Sequence, residues 1–182
     1  VVDNIILAFE FADNDVYRAV THNKGIMNGI VSVANAVGQD SRAIEAAANA
    51  YAAISGKYRS LSKWSKDSDG NLVGILEIPL SVGIVGGIVN VHPVAKVCAK
   101  ILNVASAQEL ACVMTATGLA QNYSAIRALS TEGIQKGHMR LHARNLAASA
   151  GATTDQIDTV VQKMIESKKI SLDSAKEILQ NF

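Results

Sequence analysis

The sequence predicts a mainly helical α+β fold with one small antiparallel sheet. Three observations predict it. Hydrophobic residues fill 49% of the 182 positions while aromatics make up only 4%, so Ala, Val, Ile and Leu must build the interior, which suits helices in close approach. Apolar residues recur at helical spacing through most of the chain. A single Asp-Gly turn, Asp67-Ser68-Asp69-Gly70, lies between two strand-like stretches and marks the one sheet.

From Val2 to Val20, the spacing of Ile5, Ile6, Phe9 and Ala12 reads as one amphipathic helix. The polar run Thr21-His22-Asn23-Lys24-Gly25 follows. Ile26, Ile30, Val33 and Val37 then set a second helix that begins close to Asn28 and stops by Gly38, which puts Lys24 at or beside a helix start. Asp40 and Ser41 stand where an N-cap is expected, ahead of RAIEAAANAYAAI, a strong helix former that Gly56 ends. Tyr58 to Ser65 and Asn71 to Leu80 are the two strands. Gly83, Gly86 and Gly87 permit close backbone approach, and His92-Pro93 opens a helix with proline at its first position, where a missing N–H is harmless. Ser106-Ala107-Gln108-Glu109 fits a capping box, and the apolar run from Leu110 to Leu129 continues for about five turns as a buried helix. Thr131-Glu132-Gly133 interrupts it. A further helix runs from Gly137 to Ala150, another is capped by Thr153 or Thr154 and reaches Ser167, and Ser171 begins a last short one. The last 45 or so residues are richer in charge and suit an appendage better than a core.

Charge and cysteine usage exclude several function classes. Seventeen basic and 16 acidic side chains leave a net charge of +1, so no global field draws the protein to nucleic acid or an anionic membrane, and an anionic ligand must be caught by a local basic cluster. Cys98 and Cys112 form no CxxC pair and indicate neither a disulfide framework nor a thiolate zinc site. No apolar run approaches the roughly 18 residues that would span a bilayer, and the opening VVDNIILAFEFADND lacks the basic start of a signal peptide. A soluble cytoplasmic protein is expected.

Two groups of residues could carry chemistry. His138, His142 and Arg144 share one segment, and a spacing of four brings the imidazoles to one helix face. A metal site there fails the HExxH pattern because Met139 follows His138, and no Cys or carboxylate lies nearby at ligand spacing. The same spacing fits either a solvated face with Lys136 and Arg140 or an anion-handling, acid–base face. Lys24 is the second candidate: a lysine in so polar a run could polarise a carbonyl if a carboxylate held its charge. Asp40 is available for that, though capping is the commoner task of an Asp before RAIEAAANAY. The segment Gly83-Ile84-Val85-Gly86-Gly87 is neither GxGxxG nor a P-loop and supports no nucleotide cradle.

Thr21-His22-Asn23-Lys24-Gly25-Ile26-Met27-Asn28-Gly29 resembles the lysine motif of class II hydroxymethylglutaryl-CoA reductases. Gly38-Gln39-Asp40 with Arg42-Ala43-Ile44-Glu45-Ala46 resembles the aspartate motif of that family. Glu77-Ile78-Pro79-Leu80, Val85-Gly86-Gly87, His92-Pro93, Gly118-Leu119-Ala120-Gln121-Asn122 and Thr131 through Met139 continue the likeness in family order, over nearly the whole chain. The resemblance implies interconversion of hydroxymethylglutaryl-CoA with mevalonate and CoA by two hydride transfers from NADH or NADPH. It further implies that Lys24 stabilises the developing oxyanion, Asp40 tunes and orients Lys24, and His138 protonates the departing CoA thiolate. Arg18, Asn28 and Gln121 would line the substrate pocket, with Arg18 suited to the free carboxylate of the glutaryl group. His142 and Arg144 would sit near cofactor or CoA phosphates.

By the same resemblance, residues 1–134 correspond to the later part of a large, mostly helical substrate-binding and dimerisation domain, and residues 135–182 to a helical carboxy-terminal flap that closes over ligands. The ENVIG-type motif with its catalytic glutamate and the DAMG-type motif of the inserted dinucleotide-binding domain lie upstream of the lysine motif in the family, and neither occurs in this sequence. The expectation is therefore a reductase portion that works with its amino-terminal part, within an oligomer built on a dimer. A non-catalytic scaffolding fragment that keeps the fold is the rival from another class, and a metal-dependent hydrolase using His138 and His142 is a third.

Overall fold

The computed structural model describes residues 1–131 and 133–181, apart from the side chains of Asn90 and of residues 135–138. The chain divides into two compact units, residues 1–131 and residues 132–182. The first contains α1 (Val2–Asn14), α2 (Val16–Ala36), α3 (Ser41–Ala52), β1 (Ser62–Lys66), β2 (Leu72–Leu76), a short 3-10 turn (Gly87–Asn90), α4 (Pro93–Leu102) and α5 (Ala107–Ser130). The second holds α6 (Ile134–Ser149), α7 (Thr154–Glu166) and α8 (Leu172–Gln180). The mainly helical fold with one antiparallel pair of strands is as the sequence predicts.

The start of the chain differs from its expectation. The helix expected from Val2 to Val20 breaks at Asp15, whose backbone is extended (φ −109°, ψ 123°) and whose carboxylate accepts the Arg18 N–H at 2.8 Å, capping a new helix. The polar run that was expected to separate two helices instead lies inside α2, and Lys24 sits about two turns from its start. The run does not interrupt the helix because its side chains are satisfied outside it: Asn23 bonds the backbone of Arg59 and Leu61, and His22 meets Ser62.

α2 and α5 form the core pair. Gly29 and Gly118 let them touch: a Cβ on Gly29 would lie 2.8 Å from the Thr117 carbonyl oxygen, and one on Gly118 would lie 2.7 Å from Ile30 Cγ1. Around this contact Ile26, Met27, Ile30, Ala34, Leu110 and Met114 are buried, together with Ile44 and Ala48 of α3. Asp40 caps α3, accepting from the backbone N–H of Arg42 at 3.1 Å and Ala43 at 3.2 Å.

The strands are shorter than the sequence suggests, because pairing extends only from Ser62↔Leu76 to Lys66↔Leu72. The turn between them is held by Asp67, which accepts the Asn71 and Asp69 N–H groups, with Gly70 at φ 85°. At mid-hairpin Trp64 faces Gly74, and a Cβ there would meet the indole ring at 2.4 Å.

α4 begins as expected, with the His92 imidazole accepting the Ala95 N–H and Pro93 at the first position. Ser106 and Glu109 cap the start of α5 reciprocally across residues 105–109. In the second unit, Ala143, Ala147, Val160, Val161, Met164 and Ala175 form a separate small core, and Thr153 with Gln156 makes a capping box. Among the described residues no single helix is long and apolar enough to cross a membrane; α4 and α5 pass that test only as a pair bent by 85°.

Candidate active site

One face of α2 opens on a cavity of about 550 Å³. Lys24, Asn28 and Ser32 follow one another at a spacing of four along that face, so a helix with no other help stacks an ammonium, an amide and a hydroxyl in one row. The opposite wall comes from α3, through Glu45 and Asn49, and from the segment leading into β1, through Tyr58 and Leu61. The Tyr58 hydroxyl donates to Asn49 Oδ1 at 2.8 Å, joining the two parts of that wall. The floor is Asn23, 2% exposed, which uses both ends of its amide on the chain entering β1: Nδ2 donates to the Arg59 carbonyl at 2.8 Å and Oδ1 accepts the Leu61 N–H at 2.9 Å. Such a cavity offers a polar ligand the Lys24 ammonium, the Asn28 amide and the Glu45 carboxylate, while Ser32, Asn49, Tyr58 and Asn23 already donate within the protein.

Of the residues singled out from the sequence, Lys24 and Asn28 are brought together here. Asp40 is not. About 18 Å of helix separates Lys24 from the end of α2, and Asp40 lies beyond it as the α3 cap, half-exposed and 3.7 Å from Arg42. Arg18 lies on α2 but outside the cavity, over the Phe11 ring at 5.9 Å, and borders a separate hollow with Leu7 and Leu129. Gln121 is an exposed residue of α5 whose Cβ packs 3.1 Å from where a Gly29 Cβ would stand, which sets it beside the Asn28 turn of α2. In the second unit, His142 and Arg144 are exposed on α6, and Arg144 is ion-paired with Asp158 of α7. The His138 side chain lies outside the described residues.

Behind the cavity, on the far side of α2, a buried cluster was not anticipated from the sequence. His22 Nε2 lies 2.7 Å from Ser62 Oγ and 3.1 Å from Asn122 Nδ2. Asn122 Oδ1 accepts the Trp64 indole N–H at 2.8 Å and lies 2.9 Å from Ser62 Oγ. Burial pushes the His22 pKa down to about 4, the Arg18 charge assists, and Asp13 opposes. A signal for the cluster was present. Once Val16–Ala36 is taken as one helix, Ala19, His22, Asn23, Ile26 and Ile30 share a stripe, and Asn122 falls in the row Met114, Gly118, Asn122, Ile126. A polar residue in such a row demands a buried partner. Among the described residues no group of three or more His, Cys, Asp or Glu side chains could hold a metal ion.

Comparison with known proteins gives the family. The profile of the family described as hydroxymethylglutaryl-coenzyme A reductase matches residues 1–143. The 3-hydroxy-3-methylglutaryl-coenzyme A reductase of Archaeoglobus fulgidus is 57% identical over all of this chain, which covers 42% of that protein. The probable 3-hydroxy-3-methylglutaryl-coenzyme A reductase of Borreliella burgdorferi is 42% identical over 91% of the chain, covering 39% of its own length. A structure of the class II 3-hydroxy-3-methylglutaryl-CoA reductase of Streptococcus pneumoniae, bound to NADPH in open conformations, superposes with a TM-score of 0.70 at 42% identity, covering 99% of this chain and 44% of that one. The chain thus spans less than half the length of the relatives it matches.

Proposed function

The chain belongs to the hydroxymethylglutaryl-coenzyme A reductase family, and on that premise we propose that it supplies the lysine-bearing part of a reductase interconverting hydroxymethylglutaryl-CoA with mevalonate and CoA. The observation that carries the reading is the cavity on α2, where Lys24 and Asn28 project together from the segment that bears the family's lysine motif. In the forward direction two hydrides from NADH or NADPH reduce the thioester carbonyl and then the mevaldehyde carbonyl, CoA leaves as its thiol, and mevalonate enters isoprenoid biosynthesis. Each reduction builds negative charge on one oxygen. An ammonium held at that oxygen lowers the barrier because the charge it meets exists only on the way to product. Lys24 fills that role.

Asn28, one turn on, donates from its amide to the same ligand, and Gln121 reaches it from α5. Arg18 remains in this reading the candidate partner of the free glutaryl carboxylate by its chemistry, although its place over the Phe11 ring lies outside the Lys24 cavity. Because Asp40 caps α3 outside the Lys24 cavity, the carboxylate that orients Lys24 belongs in this reading to the Asp40 of a second copy, which makes the working unit a homodimer at least. His138 protonates the leaving thiolate. Residues 1–134 then serve as substrate-binding and dimerisation domain and residues 135–182 as a flap, in a cytoplasmic enzyme.

NADH and NADPH supply hydride when bound. The described residues of this chain do not by themselves fit a dinucleotide: Gly83 to Gly87 carry no phosphate-binding spacing, and Arg144 is engaged by Asp158. The hydride donor is held chiefly by the greater length that the relatives have; in this reading His142, and Arg144 only once it is released from Asp158, are the groups the flap offers to its phosphates.

The test is hydroxymethylglutaryl-CoA-dependent oxidation of NADPH or NADH by the natural polypeptide carrying this sequence, with Lys24→Ala beside it. Lys24 is exposed, so the variant folds, and loss of an oxyanion partner lowers kcat by about 100-fold or more. Unchanged turnover in Lys24→Ala would remove the role assigned to the cavity. No turnover by the parent would favour the scaffolding reading.

A further inference from the structure

The buried cluster behind α2 fixes its own proton count. An indole N–H only donates, so the Trp64 contact at 2.8 Å sets the Asn122 amide with its oxygen towards Trp64. The amide nitrogen then faces His22 Nε2 at 3.1 Å, and since that nitrogen only donates, Nε2 must accept. Ser62 Oγ stands 2.7 Å from the same Nε2 and 2.9 Å from Asn122 Oδ1, one hydroxyl proton between two acceptors. A second proton on the imidazole would put N–H against N–H at Asn122, and Trp64 prevents the amide from turning over to relieve it. All four side chains are buried.

The cluster also adds a side-chain hydrogen bond between α2 and α5, from Asn122 to His22, beside their apolar packing. His22 precedes Lys24 by two residues, about 3 Å of helix rise, and Asn122 follows Gln121. We propose that His22, Ser62, Trp64 and Asn122 form a positioning cluster that sets the Lys24 face of α2 against Gln121 on α5, and that it does so only with a neutral, Nδ1-protonated His22. The proposal rests on the reductase reading, in which Lys24 and Gln121 address one substrate. The charged groups facing His22 are Arg18, one turn back on α2, and Asp13 of α1, itself paired with Arg59; β1 and α5 bring it Ser62, Trp64 and Asn122, which carry no charge.

Three variants of the natural polypeptide test it, each read as kcat and KM for hydroxymethylglutaryl-CoA between about pH 4 and 8, at temperatures where circular dichroism shows it folded. His22→Leu removes the acceptor and lowers kcat about tenfold or more with KM little changed, because misplacement rather than lost binding is at fault. His22→Gln restores an acceptor near the Nε2 position without a titrating proton; it recovers most of that loss and flattens any acid limb owed to His22. Trp64→Phe frees the amide to turn over, so His22 accepts a proton more readily and the acid limb of kcat moves up by about one pH unit. A parent with no activity would sink the reductase reading. An active parent whose three variants differ from it only in melting temperature would overturn the positioning role. Nitrogen-15 NMR of the His22 ring decides the remaining point whatever the variants do: an Nδ1-protonated neutral ring is expected, and an Nε2-protonated one overturns the proposal.

Discussion

His22 shows how one buried group ties stability to acidity. Its pKa lies near 4 in the folded chain and near 6.5 when unfolded, so between those values the unfolded state binds more protons. Stability is therefore full above pH 6.5 and declines as pH falls towards 4, by about 3 kcal/mol in all, after which this group contributes no further slope. Melting temperatures measured from pH 7.5 down to 4 should show that decline, and His22→Gln should remove its share. A His22→Gln profile as steep as the parent's would mean that exposed carboxylates, not this imidazole, set the acid response. Lys24 differs in kind: it stands exposed on the other side of the same helix, and its worth lies in the cavity it faces rather than in the fold.

Elements rather than residues decide where these groups point. α2 and α5 approach closely because positions 29 and 118 carry no side chain, and the backbone oxygen of Thr117 cannot yield to a new methyl group. Gly29→Ala should cost about 1–3 kcal/mol and spread the two helices at the level of Asn28 and Gln121, measurable by chemical denaturation together with a fall in kcat. A neutral Gly29→Ala would show that the helices can slide apart at no cost. Much of this layer was legible in the sequence: the Asp40, Ser106 and Thr153 caps, the Pro93 start and the Asp67–Gly70 turn are local chemistry, and the structure has each of them. The break at Asp15 was not, because hydrophobic spacing continues across it from Ile5 to Ala19 and one capping carboxylate outweighs the pattern. The polar run around Lys24 misled for the converse reason. Local composition reads Thr21 to Gly25 as a boundary, whereas Ser62, Arg59 and Leu61, some 40 residues away, supply the partners that keep it helical. That Lys24 and Asn28 share a face follows from their spacing only once α2 is one helix; read from the sequence, that helix begins near Asn28, and Asn28 comes from the family resemblance. The remoteness of Asp40 does not follow from the sequence, since motif order says nothing of distance.

At the scale of the molecule the two units are unequal. The first is organised on the long α2–α5 pair, and among the described residues the core of the second gathers six buried side chains, half of them alanine, from three shorter helices. A unit of some 50 residues with so little apolar volume is marginal by itself. Hydrogen exchange should therefore rank them: amides of α7 around Val160 to Met164 exchange faster than those of α2 around Ile26 to Ile30, and equal protection would mean that the chain opens as one cooperative body. The Lys24 cavity lies on the larger unit, and His142 and Arg144 lie on the smaller. Trp64 gives the larger unit one more property. It is the sole tryptophan of this sequence, 6% exposed, with its N–H bound to Asn122 and Tyr123 5.8 Å from its ring. Excited near 295 nm, this sequence emits from a single shielded fluorophore seated on the joint between hairpin and helix, so colour and lifetime report that joint without a label.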